Sequence, residues 1–174
     1  MSIIQIKNHE IDKKDKLIQI DDIRLESAAR GDVPLLFSDD SFNLFLAYYL
    51  SPRAAEIVKK TTKDVIAFVT FTRCYIHIFG APNDEALGGH FLAAKGLKPW
   101  SIFEVQNSSW IQEFEKKNLI HPYRDKKRFM KNKRHFIFCF KDCTFECIAE
   151  NYKVENECGS PFSIIQQKMT KNKT

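Results

Sequence analysis

In the stretch 80–96, reading G-A-P-N-D-E-A-L-G-G-H-F-L-A-A-K-G, one imidazole follows two glycines and stands close behind an amide and two carboxylates. A neutral imidazole gives or takes a proton near neutral pH, and a carboxylate beside it can hold it in one tautomer. His90 is therefore the candidate acid/base, with Asp84 or Glu85 as its orienter or as a ligand grip and Asn83 as a further polar contact. Four of the chain's six glycines lie here, and glycine lets backbone approach a ligand closely. The plainer alternative is that Asn83 and Asp84 cap a short helix near Asp84 and that His90 bonds a loop carbonyl. On the catalytic reading His90 faces solvent, so its removal leaves stability within about 1 kcal/mol.

A second cluster follows from pleat arithmetic. The segments 135–140 and 143–152 read as strands with only Lys141-Asp142 between them, which predicts a two-residue hairpin turn. Phe140 then opposes Cys143, Phe138 opposes Phe145 and Phe136 opposes Cys147, and all six share one dry face. The other face carries His135, Cys139 and Glu146 beside Ile137, Thr144 and Ile148. Cys139, His135 and Glu146 have the types of a nucleophile, base and orienter, although strand thiols are mostly small core hydrophobes. No C-x-x-C or H-x-x-x-H spacing occurs, so no metal site is predicted. No complete catalytic or cofactor motif occurs either, which leaves the cofactor unknown.

These groups need elements to hold them. Fifteen phenylalanines and runs of β-branched residues predict sheet. Strands are expected over 41–50, 64–79 with a bend near Thr72-Arg73, and 99–106. A short helix is expected after Pro52. A longer one is expected from Ser109 to Lys117, where Ser109 and Gln112 match a capping box and Trp110, Ile111 and Phe114 form the apolar face. The runs 3–6 and 17–20 can pair as a hairpin. The expected fold is α+β: a single domain over 1–165, mainly antiparallel sheet with two or three short helices, and a frayed basic tail over 166–174.

Charge is localised. Between Arg124 and Arg134 seven basic residues stand against Asp125 alone, in a chain whose formal net charge is +5. The basic pI therefore reports one segment on a near-neutral body. Tyr123, Phe129 and His135 interleave with it, as in surfaces that contact phosphates and stack bases, but a solvated lysine-rich loop explains it as well. The short apolar start M-S-I-I-Q-I-K does not read as a signal peptide, and no apolar run approaches the ~18 residues of a membrane span. Five cysteines without a secretory signal point to reduced thiols and a cytoplasmic location.

At G-A-P-N-D-E-A, N-S-S-W-I, H-P and R-H-F-I-F-C-F-K-D-C-T-F-E-C-I-A the chain resembles, over roughly residues 71–151, a family of small bacterial proteins to which no activity is assigned. Two positions that often hold His in that family are Gly88 and Lys141 here. If the family's chemistry uses those imidazoles, it is lost or altered in this member.

The reading is a small cytosolic protein that binds a small molecule between the 80–96 loop, the start of the Trp110 helix and the 135–150 hairpin, with possible acid/base catalysis. Ser108, Trp110, His121 and Asp142 join Asn83 as ligand contacts. The alternatives are a nucleic-acid-binding accessory protein acting through 124–134, or a partner-binding immunity or inhibitor module.

Overall fold

Runs rich in β-branched and aromatic residues form nine strands in the computed structural model, which describes residues 14–21, 34–39, 41–60 and 64–171. A five-stranded sheet has the order β1 (Lys16–Gln19), β6 (Ser101–Gln106), β7 (Arg134–Cys139), β8 (Thr144–Ala149), β5 (Ile76–Gly80). A four-stranded sheet has the order β2 (Leu35–Ser38), β3 (Leu44–Tyr49), β4 (Val65–Thr72), β9 (Asn151–Cys158). Every neighbouring pair is antiparallel. The helices are α1 (Pro52–Ile57), α2 (Ser109–Lys117), α3 (Lys126–Met130) and α4 (Pro161–Lys171). This is the expected single-domain α+β fold, with one helix more.

The hairpin takes the register that its turn dictates. The Phe140 amide donates to the Cys143 carbonyl at 2.9 Å, Phe138 opposes Phe145, and Phe136 opposes Cys147. That face meets Leu46, Tyr48, Val69 and Phe71 of the other sheet, so the two sheets pack face to face around one core. Phe71 is central to it, with ring centroids 5.9, 5.6 and 5.3 Å from Phe136, Phe138 and Phe145. Tilted and edge-on geometries of this kind add to what burial alone contributes.

Two chain segments pass from one sheet to the other and make a corner. β4 continues into β5 through Arg73, whose φ of 48° breaks the strand where a bend is expected. Alongside it β8 continues into β9 through Glu150. The Tyr75 amide donates to the Ile148 carbonyl at 2.8 Å and the Glu150 amide to the Thr72 carbonyl at 3.0 Å, which holds both bends together. Arg73, Tyr75 and Glu150 are thereby brought to the same edge of the sandwich.

Several elements differ from expectation. Leu17 and its neighbours pair with β6, and the run 3–6, expected to pair with 17–20, lies outside the described residues. Near Asp84 there is no α-helix but a 3-10 turn at Leu87–Gly89 and another at Ala93–Lys95, because two adjacent glycines disfavour a longer helix. The cap of α2 is Ser108, not Ser109. Ser108 Oγ accepts the Ile111 amide at 3.2 Å, while Ser109 is held by Asp15, which accepts its amide at 2.6 Å and its hydroxyl at 2.7 Å. The basic run is not a plain loop, since Asp125 caps α3 by accepting the Arg128 amide at 3.0 Å. The tail expected to fray from residue 166 continues α4 to Lys171, with Lys168 bridging Glu155 and Glu157 of β9 at 3.1 and 3.2 Å.

Candidate functional site

On the outer face of the hairpin, four side chains form one hydrogen-bonded chain. Glu146 places Oε1 2.7 Å from His90 Nε2 and Oε2 2.9 Å from His135 Nε2. His135 Nδ1 lies 2.9 Å from Ser108 Oγ. The Leu92 amide donates to His90 Nδ1 at 3.2 Å, so the proton of the His90 ring must sit on Nε2, facing the carboxylate. The Glu146 carboxylate can only accept, which puts the His135 proton on Nε2 as well and leaves Nδ1 to take the Ser108 hydroxyl hydrogen. One carboxylate thus receives two imidazole N–H groups. Trp110 lies edge-on to His135 with centroids 5.0 Å apart.

The chain is closed off from solvent. Side-chain exposure is 7% for both His90 and Glu146 and 1% for His135. Leu87, Leu92 and Leu97 anchor the 80–96 loop on Phe103, Val105 and Ile137, while Trp110 and Ile111 cover Ile148. His90 is therefore not the solvent-facing side chain expected. A Cβ at Gly88 or Gly89 would meet no protein atom within 4 Å, so packing does not require glycine at either position. In this loop Gly80, at φ 142°, and Gly96, at φ 94°, use a backbone conformation closed to most side chains.

Cys139 stands apart from this chain. Four residues along one strand separate it from His135 by about 13 Å, too far for a nucleophile and its base. Burial first, and Glu146 second, push its thiol up to about 12, so it is held as an uncharged thiol in the apolar cluster around Ile137.

The other candidates are scattered. Asn83 Oδ1 accepts the Ala86 amide at 3.0 Å, a local turn bond, and the Asp84 amide donates to the Lys141 carbonyl at 2.8 Å, tying the loop to the hairpin turn. Glu85 and Asp142 are exposed. His121 lies in a different place altogether.

That place is a cleft of about 520 Å³ between the sandwich corner and the segment 118–133. Its inner wall holds Arg73, Tyr75 and Glu150, with the Tyr75 hydroxyl donating to Glu150 Oε1 at 2.6 Å. Burial and the Glu150 carboxylate push the Tyr75 phenol up to about 12, so it stays a donor. Lys133 Nζ sits 4.1 Å from the Tyr75 ring centroid and 4.0 Å from that of Phe129, a paired cation–π contact. The outer wall holds His121, Tyr123, Arg128 and Lys131. The basic run is sorted by this geometry. Arg124 is bound to Glu115 and Arg134 is bidentate on Glu104, whereas Arg128 and Lys131 have no side-chain partner among the described residues. Sequence reasoning missed Arg73, Tyr75 and Glu150 here. The expected bend at Thr72-Arg73 was the signal that could have found them, since a strand corner gathers side chains that a straight strand separates.

No family model, curated protein or solved structure matches this chain. The resemblance of its motifs to a bacterial family therefore assigns no role to any residue. Among the described residues no three His, Cys, Asp or Glu side chains are grouped to hold a metal ion, and no helix is long and apolar enough to cross a membrane.

The buried chain has a testable acid signature. Burial alone would raise the Glu146 carboxyl, but the N–H groups of His135 and His90 outweigh it and hold it down to about 2 from an ordinary 4.5. A depressed carboxyl stabilises the fold fully above its unfolded value and loses that contribution as pH falls from 4.5 towards 2. Urea unfolding of the wild type should therefore weaken by a few kcal/mol across that window. Glu146→Gln should remove most of that slope, and an unchanged slope would mean that the carboxyl is not tied in this way.

Proposed function

We propose that this protein binds a small organic anion and that the ligand sits in the corner cleft, not beneath the 80–96 loop. The observation that carries this reading is the pair of unpartnered cations, Arg128 and Lys131, on the rim of a cleft of about 520 Å³. Cavities of this size are typical of small-molecule sites, which combine an aromatic wall with a few convergent polar groups. Cations outnumber acids in the lining: Arg73, Arg128, Lys131 and Lys133 face only Asp125, which caps α3, and Glu150, which is shared between Tyr75 and Arg73. The elements first expected to enclose a ligand do converge, but leucine side chains and a self-satisfied polar chain fill the space between them. Those hydrogen bonds suit a structural tie better than a group awaiting a substrate.

The test is calorimetric titration with inorganic phosphate at low salt. Binding that weakens as salt rises, and that Arg128→Ala and Lys131→Ala each reduce, supports the cleft. No measurable binding, or binding indifferent to both substitutions, overturns it.

A further inference from the structure

Resting on that reading, we infer that the anion carries a flat heterocycle and that the ligand class is a nucleoside monophosphate. The cleft has two chemically distinct parts. Arg128 and Lys131 supply positive charge with no side-chain partner among the described residues, which suits a phosphate. On the same wall Tyr123 is 88% exposed, and its ring lies 6.3 Å from that of His121. A tyrosine this exposed, beside cations rather than against apolar side chains, offers a face on which a base can stack.

The lining also has groups that read heterocycle edges. Asn118 and Asn132 border the same cavity, and neither side-chain amide has a partner among the described residues. An Asn amide offers one acceptor and two donors, the complement of the adjacent donor and acceptor on a base edge. A bare phosphate or an aliphatic acid could take an amide N–H but would leave the amide's acceptor unused.

The rim is held in place before any ligand arrives. The Arg124 amide donates to the His121 carbonyl at 3.1 Å, closing the turn that carries Tyr123. Its guanidinium is anchored on Glu115, which is 3% exposed, and the Asp125 cap then fixes the start of α3 and so the position of Arg128. Stacking platform and cations are thus joined through two anchored residues, so binding has side chains to order but not the backbone that carries them.

Calorimetry of the whole chain with four probes decides this: the four common ribonucleoside 5′-monophosphates, the matching nucleosides, inorganic phosphate, and a short single-stranded oligonucleotide. At least one monophosphate should bind about tenfold or more tightly than both phosphate and its nucleoside, and Tyr123→Ala should erase that advantage while leaving phosphate binding unchanged. If phosphate binds as well as every monophosphate, the heterocycle is wrong and the anion reading stands. If nothing binds, both fall. If a nucleoside equals its monophosphate, the cations are not used and both fall again. An oligonucleotide that binds where no mononucleotide does would overturn the inference in favour of a nucleic-acid surface.

Discussion

Glu146→Ala is expected to destabilise the fold by about 3–5 kcal/mol, a large part of the ~5–15 kcal/mol available to a domain of this size. The substitution leaves the His90 and His135 Nε2–H groups facing a space from which water is excluded, and each buried donor without an acceptor carries its full desolvation penalty. The bonds on the far side of each ring sharpen the prediction. His135 can exchange tautomers, because Ser108 Oγ can accept from Nδ1 as readily as donate to it. His90 cannot, because its Nδ1 must stay free to accept the Leu92 amide. A glutamine at 146 can therefore turn its oxygen to His90 and its amide to a switched His135, so Glu146→Gln should cost only about 1–2 kcal/mol. His90→Ala should fall between them, since it strips one donor from Glu146 and the acceptor from Leu92. Urea unfolding of the three variants gives the order directly. A cost below about 1 kcal/mol for Glu146→Ala would show that water reaches the carboxylate and that the chain is open.

The second large effect is on binding. Reversing both rim cations, Arg128→Glu with Lys131→Glu, should weaken binding of a phosphate-bearing ligand by a factor of about 100 or more. Each reversal turns an attraction of about 1–4 kcal/mol into a repulsion of similar size. Stability should change by less than about 1 kcal/mol, because both side chains are exposed and neither has a partner to lose. Affinity and fold are thus expected to separate at these positions and to fail together at Glu146. Retained affinity in the double variant would move the ligand elsewhere.

Much of the framework was legible because it rests on local rules. The turn at Lys141-Asp142 and the period-two pleat were enough for the register of β7 and β8, and a sixteen-residue strand-like run was too long not to bend, as it does at Arg73. The same arithmetic set His135 and Glu146 on one face, while their meeting with His90 and Trp110 lay beyond any register rule. What escaped was whether their meeting place is open. Leu87, Leu92 and Leu97 recur every five residues, which is neither a helical nor a strand period, so their role in sealing the loop left no periodic trace. The cleft escaped for a different reason. Arg73 and Tyr75 are far in sequence from Arg128 and Lys131, and only the pairing of β8 with β5 on one side and with β7, which follows α3, on the other brings them to one edge. His121, expected as a ligand contact with the 80–96 loop, borders the corner cleft instead, since a lone His-Pro carries no signal of which cavity it borders.

An amide-resolved NMR titration of the full chain with inorganic phosphate at low salt tests the central claim most directly, because it reads both candidate places at once. The expected result is a set of saturable shifts at Tyr75, Tyr123, Arg128, Lys131 and Lys133, with the amides of His90, Leu92 and Trp110 unmoved. Saturable shifts centred on His90, Leu92 and Trp110, with the cleft silent, would contradict it and return the ligand to the 80–96 loop.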